Sequence, residues 1–103
     1  MTQARSWRDD FPKLSELTTD MLFGDLWERP GLSKRDRSIV TVAVNTALYR
    51  TEQLRGHLGR ALDNGVTKEE IVEIITHVTM YAGWPTGVNG AAVASEVFAE
   101  RGL

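Results

Sequence analysis

The sequence predicts an all-α fold, a single helical domain over residues 1–103 with about five helices. Three observations predict it. Apolar residues recur at steps of three and four through most of the chain, with almost no strand-like alternation. The run Thr67-Lys68-Glu69-Glu70 is a capping box, the local signature of a helix start. The three prolines, Pro12, Pro30 and Pro85, stand where helices would begin or stop rather than inside the periodic stretches.

Residues 1–10 are polar and are expected to be a loose N-terminal segment. A first helix is expected near Phe11–Pro12, because proline suits the first helical turn. Leu14, Leu17, Met21 and Leu22 then recur at helical spacing. Gly24, Pro30 and Gly31 break the segment, and Trp27 between them is expected to pack back on the core.

Ser33 is a good cap for a second helix, with Asp36 as an acidic first-turn residue. Val40, Ala43, Val44, Ala47 and Leu48 share one broad face, while Ile39, Val42 and Tyr49 lie outside it. A helix so apolar nearly all round is central or shared with a partner. A chain of this size cannot cover it alone, so an oligomer is expected. Arg37 falls on the stripe of Val44 and Leu48, one to three turns earlier. Two readings stay open for it: a helix-end arginine that snorkels to water, or an anion-binding arginine at the rim of a pocket.

Thr51 is expected to cap a third helix, whose apolar face is Leu54, Leu58, Ala61 and Leu62, flanked by His57. Gly56 and Gly59 inside it each cost about 1 kcal/mol relative to alanine. They are expected where another backbone or a ligand comes close. Gly65, after Asn64, suits a left-handed helix end. The capping box opens a fourth helix with Ile71, Ile74, Ile75, Val78 and Ala82 on its core face. Glu73, His77 and Tyr81 follow at steps of four along one edge. Gly83 and Pro85 are expected to stop it. A fifth helix, from about Thr86 to Glu100, carries Gly87, Gly90, Ala91, Ala92, Ala94 and Ser95, which permits tight helix packing, and Gly102 ends it.

Composition bounds the function. The chain is 42% apolar and 25% charged, enough for one ordinary small core. The formal net charge is −2 and no basic block is present, which disfavours nucleic acid and membrane surfaces as partners. The longest apolar run, Ile39 to Ala47, is broken by Thr41, Asn45 and Thr46, far short of the roughly 20 residues that span a bilayer. The N-terminal charges are followed by no apolar core, so a cytoplasmic location is expected. The absence of cysteine excludes disulfides, thiolate catalysis and cysteine–metal sites. His57 and His77 stand twenty residues apart on different helices with no HExxH spacing and no aspartate cluster, so no metal is expected.

Proton transfer remains. A histidine both takes and gives a proton near neutral pH. His57, with Arg37 for a carboxylate and Glu52 or Glu73 nearby, would suit proton transfer next to a carbonyl. The alternative is a core-edge histidine bonded to a backbone carbonyl. His77 reads as a structural edge residue satisfied by Glu73 and Tyr81. No nucleophile elbow and no glycine-rich phosphate loop is present.

Three segments carry a family resemblance: FGDLWERPGLSKRDRSIVTVAVNTAL, RTEQLRGHLGRALDNGVTKEEIVEIITH and YAGWPTG. The resemblance runs from Leu22 to about Phe98, about three quarters of the chain. The combination of RPGLS–R–RS, E–L–H, A–NG–T–EE and Y–G–P in this order resembles the carboxymuconolactone decarboxylase family. The resemblance implies an alkylhydroperoxidase D-like helical fold, intertwined into dimers and assembled as a trimer of dimers. It also implies decarboxylation without a cofactor, as in the conversion of 4-carboxymuconolactone to the enol-lactone of 3-oxoadipate in aromatic catabolism. His57 matches the family's histidine, Glu52 its nearby acid and Arg37 its arginine, which makes these the expected catalytic residues. Arg37, Glu73, His77, Tyr81 and Trp84 are the expected substrate-binding residues.

The departures narrow the expectation. The CxxC pair of the alkylhydroperoxidase relatives would fall at Arg50 and Gln53, so thiol peroxidase chemistry is absent. The relatives' glutamate of the second helix would fall at Ser38. His77 stands where the name-giving enzymes tend to have glutamine, and WPTG where they have GVPAA. The chain therefore looks like a neighbouring branch. The expected function is a cofactor-independent lyase or isomerase acting on a small carboxylated lactone or oxo acid. The alternative is a non-catalytic small-molecule-binding or scaffolding oligomer. An enzyme would gather His57, Arg37 and a carboxylate around one cavity.

Overall fold

The computed structural model describes residues 5–103, and all its regular elements are helical. The chain divides into two compact units, one ending at Leu32 and one spanning Ser33–Leu103. Among the described residues, no helix is long and apolar enough to cross a membrane.

The first unit is a series of short turns. Helix α1 (Trp7–Asp10) is opened by Ser6, whose side chain and that of Asp9 form a capping box. The part of the expected loose segment that is described thus holds one helical turn, and residues 1–4 lie outside the described residues. Helix α2 (Pro12–Leu17) starts on its proline, as expected, and runs into a π-helical stretch, Thr18–Phe23. Gly24 ends that stretch, where a Cβ would lie 2.8 Å from the carbonyl oxygens of Thr19 and Asp20. A 3-10 turn, Leu26–Glu28, follows and carries the buried Trp27, whose ring lies 6.2 Å from that of Phe23.

The second unit is four helices: α3 (Lys34–Ala47), α4 (Thr51–Asp63), α5 (Lys68–Ala82) and α6 (Trp84–Glu100). Helix α3 packs on α4 and α5, and α6 packs on the same two, with a further contact between α3 and α6. The core is Val42, Leu54, Leu58, Ala61, Val66, Ile71, Ile75, Ala94, Val97 and Phe98.

The local start and stop signals act as expected at most ends. Ser33 accepts from the backbone N–H of Asp36 at 3.0 Å. Thr67 Oγ1 accepts from the Glu70 N–H at 3.1 Å, and Glu70 Oε1 accepts from the Thr67 N–H at 3.0 Å. Gly65 takes its left-handed conformation, with φ +96°. Two ends differ. Arg50, not Thr51, occupies the N-cap of α4, with no side-chain cap, because a tight turn through Tyr49 (φ +60°) leads straight into the helix. Pro85 does not merely stop α5; it sits in the first turn of α6, which therefore begins two residues earlier than expected.

Helix α3 presents a different face to the core than its apolar pattern suggests. Ser38, Val42 and Thr46 are buried, whereas Val40, Val44 and Leu48 remain 53%, 48% and 57% exposed. The small inward residues let α6 approach: a Cβ on Gly90 would lie 2.7 Å from Thr46 Cγ2. Gly87 plays the same part against α5, where a Cβ would stand 1.7 Å from Thr79 Oγ1. Gly59 makes room for the Arg101 guanidinium, whereas nothing comes within 4 Å of a Cβ at Gly56.

Candidate functional site

The two long sides of α4 have different partners. Arg55 pairs with Glu96 and Glu100 of α6, and Asp63 accepts from Arg101 at 2.8 Å, so that side faces the end of α6. On the other side, Asn64 at the end of α4 donates from Nδ2 to Ser38 Oγ of α3 at 3.0 Å. His57 lies two helical turns before Asn64, and residues seven apart fall on one flank. His57 therefore looks toward α3. The flank of α3 on that side carries Ser38, Thr41 and Asn45, none of them charged. Thr41 and Asn45 spend their donors on their own helix, bonding to the carbonyls of Arg37 and Thr41 at 2.8 and 2.9 Å.

His57 is half-buried there, next to the buried Leu54, Leu58 and Ala61. Among the described residues it has no hydrogen-bond partner, which disfavours the reading of a histidine tied to a backbone carbonyl. Burial pushes its pKa below the usual histidine value, and the charge of Arg60, one turn on, adds to the push. The ring is neutral near pH 7, with a lone pair available to a proton.

The other expected residues are dispersed along the chain. Glu52 precedes His57 by five residues, about 140° around the helix, and is exposed. Arg37 precedes Ser38, which is level with Asn64, so about 10 Å of helix rise separates Arg37 from the level of His57. Glu73, His77 and Tyr81 share an exposed edge of α5. There the imidazole of His77 stacks on Tyr81 with centroids 4.9 Å apart and planes inclined by 27°, and Tyr81 is 83% exposed. Trp84 lines a separate apolar cleft of about 240 Å3 between α5 and α6, with Met80, Gly87 and Val88. Wider clefts lie elsewhere. One of about 720 Å3 is bordered by Leu62, Thr67, Lys68 and Arg101, and one of about 370 Å3 by Arg55, Gly56, Gly59 and Arg60. None of these is lined by His57. The structure thus brings together His77 and Tyr81, and it does not join His57 to Glu52, Glu73 or Arg37.

A model of the carboxymuconolactone decarboxylase family matches residues 12–96. The chain belongs to that family. It is 46% identical over 81 residues to the 4-carboxymuconolactone decarboxylase of Acinetobacter baylyi, covering 79% of this chain and 60% of that protein. It is 33% identical over 81 residues to the nitrosuccinic acid decarboxylase of Metarhizium robertsii, covering 79% of this chain and 57% of that protein. An uncharacterised 15.0 kDa protein of Paracoccus denitrificans is 34% identical over 84 residues, covering 80% of this chain and 63% of that protein. The chain therefore spans about six tenths of the length of these relatives.

For this family member, two features escaped the sequence reading. The Ser38–Asn64 bond has no signal in the sequence, because its partners are 26 residues apart. The effect of Arg60 on His57 does have a signal, because a step of three along a helix makes neighbours.

Proposed function

We propose that the chain is a cofactor-independent carboxy-lyase acting on a small carboxylated lactone or oxo acid of aromatic catabolism. The observation that carries the reading is His57, a half-buried, neutral imidazole with no hydrogen-bond partner among the described residues. Family membership and the two relatives named as decarboxylases support it.

In the proposed reaction the bond from carbon to a carboxylate breaks, and its electron pair passes to that carbon and on to a neighbouring carbonyl oxygen. Carbon dioxide leaves. His57 then delivers to the carbon a proton drawn from water, so each turnover consumes one proton. Arg37 grips a carboxylate of the substrate, through the planar fork that suits it. The enolate oxygen needs donors as its charge develops. Tyr81, His77, Glu73 and Trp84, exposed in the protomer, form the outer part of the site in an assembly of dimers into a trimer. The exposed stripe Val40, Val44 and Leu48 is the surface that such an assembly would cover.

The test is turnover of a panel of lactones and oxo acids followed by ultraviolet absorbance. His57→Gln keeps the size and one hydrogen bond, and is expected to lower turnover by about a hundredfold or more, the range for a lost acid–base group. His77→Gln is expected to cost much less. The reverse ranking on a true substrate would move the chemistry to the Glu73–His77–Tyr81 edge.

A further inference from the structure

Two exposed apolar surfaces of the four-helix unit have matching shapes. The first is a ridge. Val40, Val44 and Leu48 follow at steps of four on the outer side of α3, Leu48 at its end, so they form one row about 12 Å long. The second is a groove. The cleft of about 240 Å3 between α5 and α6 adjoins a further cleft of about 120 Å3, and the two share Ile75, Thr76 and Ala91. Val72, Thr76 and Met80 form one wall, again at steps of four and about 12 Å long. Trp84, Val88 and Ala91 form the other. No residue that lines either cleft is charged.

We propose that the α3 ridge of one copy of this chain seats in the α5–α6 groove of a second copy. The proposal goes beyond the lyase reading and does not depend on it. A helix docks in an apolar groove through side chains one turn apart, and the ridge supplies three of them over the length of the groove wall. Within one chain the ridge cannot reach the groove. Helix α3 buries Ser38, Val42 and Thr46, and residues two apart on a helix point to nearly opposite sides, so the row of Val40, Val44 and Leu48 faces away from the bundle. Each copy therefore offers one ridge and one groove, and only another copy can join them.

Charge favours the same pairing. Arg35 of α3 and Glu70 of α5 are paired within the chain. With that pair set aside, α3 has the basic Lys34 and Arg37 against the acidic Asp36, whereas α5 has the acidic Glu69 and Glu73 against the basic Lys68. The helix that bears the ridge and the helix that walls the groove thus carry opposite net charge around uncharged centres, which steers the one toward the other. The contact also bears on the outer edge of α5. Glu73, His77 and Tyr81 each follow a wall residue of the groove by one position, so a seated α3 lies alongside that edge. The edge is exposed in the single chain and is bounded by a second copy in the pair.

The test is complementation. Val44→Glu puts a charge on the ridge and Val88→Glu puts one in the groove; both positions are exposed, and helical circular dichroism checks the fold. Each variant alone is expected to give a smaller mass than the wild type by light scattering. Mixed in equal amounts, the two are expected to at least double the mass of either, because the intact ridge of the Val88→Glu chain seats in the intact groove of the Val44→Glu chain. A second measurement adds no charge. The chain has no cysteine, so Val44→Cys and Val88→Cys each introduce a single thiol. A thiol-specific cross-linker is expected to join copies of the double variant and to leave each single variant unjoined. Three results would overturn the proposal: one variant dissociating while the other keeps the wild-type mass, a mixture with no gain in mass, or Val44→Cys chains joined to one another. A monomeric wild type would do so as well. Failure of the lyase reading shows separately, as a substrate panel on which His57→Gln changes nothing.

Discussion

Asn64, the residue that ends α4, donates its side-chain N–H to the buried hydroxyl of Ser38 on α3 at 3.0 Å. This bond fixes how far α4 slides along α3, and with it the height at which His57 meets the α3 flank. Ser38→Ala would leave the Asn64 amide without that acceptor. The expected loss is about 1–2 kcal/mol, as for a part-buried hydrogen bond whose other partner stays behind. For a domain of this size each kcal/mol lowers the melting temperature by about 4–8 °C. Thermal unfolding checks it, and an unchanged melting temperature would show that water replaces Ser38 without loss.

Alanine at the helical glycines should have opposite effects at different positions. At Gly87 the new methyl meets Thr79, whose hydroxyl is tied to the Ile75 carbonyl at 2.7 Å and has no freedom to yield. At Gly90 it meets Thr46, likewise tied to the Val42 carbonyl at 2.7 Å. Overpacking of this kind costs about 1–3 kcal/mol, more than the roughly 1 kcal/mol that alanine gains in helix propensity. Gly87→Ala and Gly90→Ala are therefore expected to destabilise, Gly87→Ala the more. At Gly56, where nothing stands in the way, alanine is expected to stabilise by about 0.5–1 kcal/mol. Denaturant unfolding of the three variants gives the order, and a stabilised Gly87→Ala would contradict the packing.

The exposed stripe of Val40, Val44 and Leu48 predicts self-association. Light scattering should give a mass several times the 11.5 kDa of one chain, with six copies expected. Leu48→Glu should shift the protein toward smaller species while leaving its helical circular dichroism largely intact. A wild-type monomer at micromolar concentration would refute this.

Stability should fall on acidification in two stages. The folded pKa of His57 lies below its ordinary value of 6.5, so the unfolded chain binds the proton more readily. The contribution of neutral His57 is then full above pH 6.5 and declines as pH falls through its lower folded value. Glu70 follows. The Thr67 backbone N–H and then Arg35 hold its carboxyl below the usual 4.5. Its contribution is present above pH 4.5 and disappears as pH falls through the folded value. Unfolding curves at pH 7, 5.5 and 4 separate the stages. In His57→Gln the first stage should vanish and the second remain.

What the sequence determined by itself is the series of helices and most of their ends. The Ser33 cap and the Thr67–Glu70 box act within one turn, so their hydrogen bonds are legible in adjacent residues. The faces of α4 and α5 were legible too, because Leu54, Leu58, Ile71 and Ile75 form narrow stripes with polar surroundings. Helix α3 has no such contrast. Only the approach of α6, through Gly90, decided that Thr46 with Val42 and Ser38 would turn inward and that Val40, Val44 and Leu48 would turn out. The environment of His57 was likewise undecided, because a burial effect and a charge effect of unknown sign compete at such an edge. The tertiary structure resolved it by bringing an uncharged flank of α3 to one side of the ring, so that among the described residues burial and Arg60 act in the same direction. Local signals work across one turn of backbone, whereas the face a helix buries and the charge a side chain feels depend on surfaces that only packing brings together.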